Sequence, residues 1–129
     1  MFWRYVHIKI VVSFYRMFKS QFSLEDRRAE ASRVRARYPD RIPVIVEVSP
    51  KADLPQLDKK KFLTPGDLTV GQFAHTIRKK MNLDSHKAMF LLIGNRLAAT
   101  ASLIGTLHET DHDVDGFLYI TVHTENTFG

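Results

Sequence analysis

The last residues of the chain form a short polar segment that ends in Gly129. The preceding residues 118–123 are β-branched and aromatic, which predicts a strand. The six residues after His123 could extend over roughly 20 Å. The carboxylate of a terminal glycine has no side chain beside it, so such a tail could enter a narrow active site of another protein. We therefore treat Gly129 as a candidate reacting residue, with residues 124–129 as the tail that presents it.

A second pattern, at residues 108–112, is formally the zinc-hydrolase sequence H-E-x-x-H. That chemistry requires both histidines on one face of a regular helix, a third ligand and a substrate cleft. We predict only a short helix over residues 102–108, followed by residues 113–116, whose composition favours a turn. We therefore expect no metal and no catalytic residue here. Zinc hydrolysis remains the least favoured alternative, and a zinc determination tests it.

Length and composition favour a single globular domain without enzymatic machinery of its own. The 129 residues are 44% hydrophobic and 26% charged, which is ordinary for one folded domain. The absence of cysteine excludes disulfides, thiolate metal sites and a cysteine nucleophile. We find no glycine-rich phosphate loop and no Ser/His/Asp set with motif support. We expect neither enzymatic activity nor a cofactor.

Positive charge is concentrated at the start of the chain. Residues 1–41 contain ten Lys and Arg against four Asp and Glu, whereas residues 42–129 contain nine against ten. Such a segment could meet nucleic acid, anionic lipid or acidic peptides. Since no zinc finger, basic zipper or aromatic RNA-binding strand accompanies it, we do not expect nucleic-acid binding.

Three parts of the chain are distinguished by composition. Residues 1–16 are aromatic and basic, too broken by polar residues to span a bilayer, and are interpreted as an extension or leader that does not fold with the domain. Contact with a membrane surface is the alternative. Residues 17–41 form a helical segment with Ser23 as N-cap and Pro39 as its stop. Residues 42–129 form the main domain.

The main domain alternates strands with helices. We predict strands over residues 42–48, 57–63, 89–93 and 118–123. Thr69 and Gln72 form a capping box, which predicts a helix reaching about residue 81. This order predicts an α+β roll in which a four-stranded sheet packs on one central helix.

Several collinear blocks then identify a family. The blocks are Arg41-Ile42-Pro43-Val44-Ile45-Val46-Glu47, Asp58-Lys59-Lys60-Lys61-Phe62-Leu63, Asp67-Leu68-Thr69-Val70-Gly71-Gln72-Phe73, Gly116-Phe117-Leu118-Tyr119 and Glu125-Asn126-Thr127-Phe128-Gly129. In these blocks the chain resembles the GABARAP-type autophagy modifiers, from about residue 17 to residue 129. The resemblance implies a ubiquitin-like β-grasp fold with two extra N-terminal helices.

The resemblance also implies a function for the tail. In this family a cysteine protease trims the precursor, and activating and conjugating enzymes carry the C-terminus as thioesters to phosphatidylethanolamine. Gly129 would be the conjugated residue, and Thr127 and Phe128 would be gripped by the processing, conjugating and deconjugating enzymes. The protein would be cytoplasmic, and on the autophagosome membrane when lipidated.

A peptide-binding groove is implied as well, with two pockets for cargo receptors and adaptors that carry short acidic-aromatic motifs. The first would take an aromatic residue and the second an aliphatic one. Lys59 and Lys61 would attract acidic residues flanking the motif. The first pocket would comprise Glu30, Val34, Pro43, Ile45, Lys61, Leu63 and Phe117. The second would comprise Arg41, Val46, Phe62, Pro65, Leu68 and Phe73.

The chain departs from the family pattern at four places, one of which is a pair of residues. Val34 and Thr64 are smaller or more polar than usual, Leu24 replaces an aromatic residue, and Ala98-Ala99 replaces a Pro-Pro pair. We expect these differences to affect partner preference more than fold. The alternative function is an unconjugated adaptor of the same fold that only binds peptides.

Overall fold

The computed structural model describes residues 17–125, so Thr127, Phe128, Gly129 and the extension 1–16 lie outside the described residues. Two helices precede a mixed sheet into which two further helices are inserted. In chain order the elements are α1 (Phe18–Gln21), α2 (Leu24–Arg37), β1 (Arg41–Val48), β2 (Lys61–Pro65), α3 (Val70–Met81), β3 (Phe90–Ile93), β4 (Arg96–Leu97), α4 (Ile104–Asp111) and β5 (Leu118–His123).

The strands form one sheet in the order β2-β1-β5-β3-β4. The two central strands, β1 and β5, run parallel, and the remaining pairs are antiparallel. The predicted α+β ubiquitin-like fold is confirmed. The sheet has a fifth strand beyond the four predicted, because β4 contains only two exposed residues, Arg96 and Leu97, and no period can be read from so short a segment.

Both faces of the sheet are covered. On one face, Val44 and Val46 of β1 join the core beneath α3, which contributes Phe73 and Ile77. On the other face, Ile45 packs with residues of α1, α2 and the segment just before β5 in a smaller cluster of Phe18, Ala31, Ile45 and Phe117. This double coverage explains the five consecutive buried residues of β1, from Ile42 to Val46.

The central helix α3 begins and ends where the sequence predicts. The Thr69 hydroxyl accepts from the Gln72 N–H at 3.1 Å, and the Gln72 amide oxygen accepts from the Thr69 N–H at 2.9 Å. The helix stops because Asn82 adopts a left-handed conformation with φ of 52°. Likewise, the hydroxyl of Ser23 caps α2 by accepting from the Asp26 N–H at 3.1 Å.

The predicted bounds of the second strand, residues 57–63, are wrong. The strand is Lys61–Pro65. Just before it, the Val46 N–H donates a hydrogen bond of 2.8 Å to the Lys60 carbonyl. Hydrogen-bonded and non-hydrogen-bonded pairs alternate along antiparallel strands, which places Pro65, opposite Arg41, at a non-hydrogen-bonded position. Pro65 can therefore end the strand without removing a ladder donor.

The helix predicted over residues 102–108 is shifted toward the C-terminus, to Ile104–Asp111, and therefore contains most of the H-E-x-x-H motif. Its last turn is supported by the His112 N–H, which donates to the His108 carbonyl at 3.1 Å. Over residues 17–125, no helix combines the length and apolar character needed to cross a membrane.

Candidate functional site: the groove along strand β2

Strand β2 lies at an edge of the sheet, with β1 on one side only. The hydrogen-bond register assigns the main-chain groups of residues 60, 62 and 64 to β1. The N–H and C=O groups of Lys61 and Leu63 are therefore directed away from β1, toward the open edge. An extended peptide could add there as another strand, at the position predicted from the sequence. We call the surface around this edge the β2 groove.

The residues predicted for the first pocket converge on one face of the sheet. Pro43 lies opposite Leu63 and Ile45 lies opposite Lys61, so the four side chains share the face covered by α2. Ile45 and Phe117 are buried beneath this surface, whereas Leu63 is 37% exposed. The other two residues, Glu30 and Val34, are half-buried one turn apart on α2.

Charge connects α2 to the edge strand. The Glu30 carboxylate lies 3.0 Å from a guanidinium nitrogen of Arg33 and 3.3 Å from the ammonium group of Lys61. The hydrogen bond from Arg33, together with the contribution of Lys61, lowers the pKa of Glu30 despite its partial burial. At neutral pH Glu30 is therefore ionised and shares the Lys61 ammonium with any acidic ligand that enters the groove.

Of the residues predicted for the second pocket, Val46, Phe62, Leu68 and Phe73 lie on the opposite face, over the main core, whereas the alternation along the strands places Arg41 and Pro65 on the face of the first pocket. The Phe62 ring meets the Phe73 ring edge-on at 5.6 Å. Phe73 and Val46 are fully buried, so the surface that a ligand can reach comes from Phe62, Pro65 and Leu68, which are half-buried. Arg41 is exposed opposite Pro65, at the far end of the strand pair.

A cavity of about 280 Å³ lies between the N-terminal helices and Lys61. Sequence reasoning placed Glu30 and Lys61 at this position but missed the aromatic residues of α1 that complete the cavity. The Phe18 ring meets the buried Phe117 ring edge-on at 5.5 Å, and Phe22 packs on Phe18 at 5.0 Å. The spacing of these two phenylalanines by four residues was the available signal. The lining residues are Phe18, Phe22, Asp26, Arg27, Glu30 and Lys61.

A second cleft, of about 450 Å³, runs along the outer side of β2. Three lysines line it: the predicted Lys59 and Lys61, and Lys80 from α3, which sequence reasoning missed. Asp58 is the single acidic side chain among its lining residues. Net positive charge on this cleft complements acidic residues beside an aromatic anchor.

The four departures from the family pattern are placed as follows. The Thr64 side chain is buried, and its hydroxyl donates to the Ile42 carbonyl at 3.4 Å, so it does not line the groove. Val34 is half-buried on α2 and does not line the 280 Å³ cavity. Leu24 is 38% exposed at the start of α2. Ala98 is fixed by its N–H, which donates to the Leu91 carbonyl at 3.0 Å.

The base of the tail is held by the folded body. Thr124, the first residue of the predicted tail, is 2% exposed, and its hydroxyl accepts from the Asp53 N–H at 3.2 Å. The Asp53 carboxylate in turn lies 2.7 Å from the ammonium group of Lys87. Glu125, the last described residue, is exposed.

The histidines of the H-E-x-x-H motif are engaged with main-chain carbonyls. Nε2 of His108 lies 2.8 Å from the Gly116 carbonyl oxygen, and Nδ1 of His112 lies 2.7 Å from the His108 carbonyl oxygen. Among residues 17–125, no group of three or more His, Asp or Glu side chains is arranged to hold a metal ion.

The sequence was compared with known families and proteins. The family described as "Autophagy protein Atg8 ubiquitin like" matches residues 26–129. Autophagy-related protein 8A of Oryza sativa subsp. japonica is 53% identical over 112 residues, covering 87% of this chain and 94% of that protein. Autophagy-related protein 8 of Mycosarcoma maydis is 52% identical over 112 residues, covering 87% and 95%.

The fold was compared with solved structures. The crystal structure of Trypanosoma brucei ATG8 matches with a TM-score of 0.83 and 37% sequence identity, covering 88% of this chain and 98% of that one. Sequence and fold therefore point to the same family over nearly the same residues.

Proposed function

The chain belongs to the Atg8 family of ubiquitin-like autophagy proteins, and from this premise we propose that it is conjugated through Gly129 to phosphatidylethanolamine. The conjugate would act in autophagosome formation and recruit receptors through short aromatic-x-x-aliphatic peptide motifs. Members of this family are ubiquitin-like modifiers and adaptors rather than enzymes. The observation that carries the proposal is that the family match continues through the tail to residue 129.

The chemistry of the chain suits a passive role in conjugation. It contains no cysteine, so the thiols that form the thioesters belong to the activating and conjugating enzymes. In the final step the amine of phosphatidylethanolamine attacks the Gly129 thioester carbonyl, an amide forms and the enzyme thiol leaves. Thr127 and Phe128 are the residues that we propose the processing, conjugating and deconjugating enzymes hold.

Receptor recruitment is supported by the β2 groove. Its open edge offers the main-chain groups of Lys61 and Leu63 to an added strand. Apolar surface lies on both faces of that strand, and lysines flank it. We propose that an aromatic side chain of the ligand enters beside Glu30 and Lys61 and that an aliphatic one contacts Phe62, Pro65 and Leu68.

The localisation follows from the proposed conjugation: the protein is cytoplasmic before lipidation and on the autophagosome membrane after it. We further propose that residues 1–16 are an extension that does not contribute to the fold. The alternative is that these residues contact a membrane surface. It is tested by comparing vesicle binding of the full chain with that of a variant lacking residues 1–16. A loss of binding on deletion would assign membrane contact to the extension instead.

Mass spectrometry of the protein from membranes of starved cells tests conjugation directly. We expect a C-terminal peptide that carries phosphatidylethanolamine on Gly129, and the N-terminal peptide locates the start of translation. A free Gly129 carboxylate in every fraction would favour the alternative, an adaptor that binds peptides without being conjugated.

Substitution of the glycine provides an independent test. Gly129→Ala should abolish the membrane-bound conjugate while leaving thermal unfolding unchanged. Gly66→Ala is the matched control, since a Cβ at residue 66 would meet only ordinary contacts of 3.7 Å or more. Undiminished lipidation of Gly129→Ala contradicts conjugation at this residue.

A further inference from the structure

A cleft of about 340 Å³ opens beside α2. It lies on a face of this helix adjacent to the face that borders the β2 groove. One wall is α2, and the other is the end of α4 with the segment that leads into β5. The function proposed above does not use this cleft. Its lining residues are Arg28, Ala31, Ser32, Arg35, His108, His112, Val114, Asp115 and Gly116.

Two guanidinium groups are fixed at this cleft by main-chain carbonyls. Nε of Arg28 donates to the Val114 carbonyl at 3.2 Å, and Nη1 of Arg35 donates to the Arg41 carbonyl at 2.9 Å. Each of these bonds uses one of the five N–H donors of a guanidinium. The geometry therefore orients both side chains while further donors face the cleft, an arrangement suited to oxyanions.

Two imidazoles form the opposite wall. The rings of His108 and His112 are stacked with centroids 5.1 Å apart. Since the Gly116 and His108 carbonyls can only accept, Nε2 of His108 and Nδ1 of His112 are donors. Protonation of the remaining nitrogen of His108 would add a positive charge and another donor. Burial lowers the pKa of His108, and Arg35 and His112 act in the same direction.

The carboxylates around the cleft are largely committed elsewhere. Asp115 lines the cleft, but its side chain is fully buried and lies 2.8 Å from Arg27, which offsets its charge. The next two, Asp113 and Asp111, contact other cations. Asp113 lies 2.5 Å from the Lys19 ammonium group, and Asp111 lies 2.9 Å from an Arg96 guanidinium nitrogen. Glu109 is exposed on α4 beside His108 and offsets part of the charge. The cleft itself remains positively charged.

From this arrangement we propose that the cleft binds a tetrahedral oxyanion, namely a phosphate group either free or carried on a protein side chain. Arg28 and Arg35 hold the oxygens, and protonation of His108 adds further positive charge. The cleft adjoins the start of β5, whereas Thr124, the first residue of the tail, follows the other end of that strand. A bound phosphate group is therefore compatible with engagement of the tail.

Sulfate is the first probe, because it keeps two negative charges throughout the pH range of histidine titration. The full chain is titrated with sodium sulfate at constant ionic strength, and amide resonances are followed by NMR. We expect saturable shifts at residues of the cleft, with an affinity for sulfate that rises as the pH falls through the lowered pKa of His108.

Variants assign the effect to the cleft. Arg28→Gln and Arg35→Gln should each weaken sulfate binding about two- to fivefold, the range for an exposed ion pair. The matched control is Arg37→Gln, which removes the same charge from an exposed position of α2 outside the cleft. His108→Gln should reduce the increase in sulfate affinity on acidification. Equal weakening by Arg37→Gln, or unsaturable shifts in the unsubstituted chain, would overturn the proposal.

The two sources of the phosphate group are distinguished by inorganic phosphate and a short phosphoserine peptide with its unphosphorylated counterpart. Tighter binding of the phosphopeptide than of inorganic phosphate, lost in Arg35→Gln, supports a protein-borne group. Equal affinities support a free ion. Absence of cleft shifts with sulfate, phosphate and phosphopeptide alike refutes the site.

Discussion

The Tyr119 hydroxyl donates a hydrogen bond of 2.5 Å to a carboxylate oxygen of Asp115, whose side chain is fully buried. The same oxygen lies 2.8 Å from a guanidinium nitrogen of Arg27, and the other oxygen accepts from the Phe117 N–H at 2.9 Å. This network joins α2 to β5. It therefore fixes Phe117, at the floor of the first pocket, relative to the helix that carries Glu30.

Removing the hydroxyl tests the strength of this connection. Tyr119→Phe should lower the free energy of unfolding by about 1–2 kcal/mol, because a half-buried hydrogen bond to a charged acceptor is lost. Burial and the Asp115 hydrogen bond raise the pKa of Tyr119, so its hydroxyl remains a donor across the neutral range. The control is Tyr38→Phe, at a residue 42% exposed. Equal urea-unfolding midpoints for the two variants would contradict the assigned role.

A close approach of two glycines links the end of β2 to α4. The Gly105 N–H donates to the Gly66 carbonyl at 2.9 Å, and a Cβ at residue 105 would lie 2.9 Å from that same oxygen. Main chain must shift to accept it, since both contacting groups are backbone. Against this, alanine favours a helix over glycine by up to about 1 kcal/mol.

We expect the steric cost to exceed the gain in helix propensity. Gly105→Ala should therefore destabilise the protein by about 1–2 kcal/mol, the lower range for overpacking. Gly66→Ala, on the other side of the same contact, should be nearly neutral because its nearest atoms are 3.7 Å away. The comparison is made by thermal unfolding, and a stabilised Gly105→Ala protein would show that the contact yields readily.

The elements predicted well from the sequence are those whose signals are local. Thr69 and Gln72 satisfy each other's backbone groups within one turn, and the apolar run of β1 indicates burial on both faces whatever covers them. The start of β2 could not be read in this way. It depends on where the chain first pairs with Val46, and the sequence marks no boundary between residues 57–60 and the strand that follows them.

The candidate site shows the same difference between features with a local sequence signal and features that depend on contacts between distant residues. Lys61 and Leu63 were identified through the family resemblance, and the register of β1 and β2 explains why their main-chain groups face outward. Phe18 was placed in the helical segment 17–41 but in neither pocket. Its burial against Phe117 arises from a contact between distant parts of the chain, which composition does not reveal.

Charge reversal at the edge strand tests the groove. Lys61→Glu should weaken binding of an acidic-aromatic-x-x-aliphatic peptide about fivefold, because the ligand loses a cation and meets a repulsive pair formed with Glu30. The effect is modest since the Lys61 side chain is 56% exposed. Lys79→Glu makes the same charge change at an exposed position of α3 that does not line the cleft. Titration calorimetry that finds equal losses would attribute the effect to net charge alone.

Truncation of Leu63 tests the apolar part of the same surface. Leu63→Ala should weaken the peptide about three- to tenfold, since part of the side chain would be buried by the ligand. Leu97→Ala on β4, at the opposite edge of the sheet, removes the same atoms from a residue that is 59% exposed. Affinity unchanged by Leu63→Ala would place the ligand on another surface.

Acidification should lower the stability of the folded protein. Burial lowers the pKa of both His108 and His123 in the folded state, so the unfolded chain binds more protons as the pH falls. Their contribution is fully present above the ordinary histidine pKa of about 6.5 and is lost as the pH falls through the folded-state values. This window lies above the one in which the depressed carboxylates, such as Glu30, are protonated.

Urea unfolding between about pH 7.5 and about pH 5, in buffers without sulfate or phosphate, measures this dependence. His108→Gln combined with His123→Gln should flatten it, because the groups that bind extra protons on unfolding are removed. His75→Gln changes a histidine that is exposed on α3 and should leave the slope intact. If the double variant keeps the full dependence of stability on pH, other groups are responsible. The two half-buried imidazoles would then not govern stability in this range.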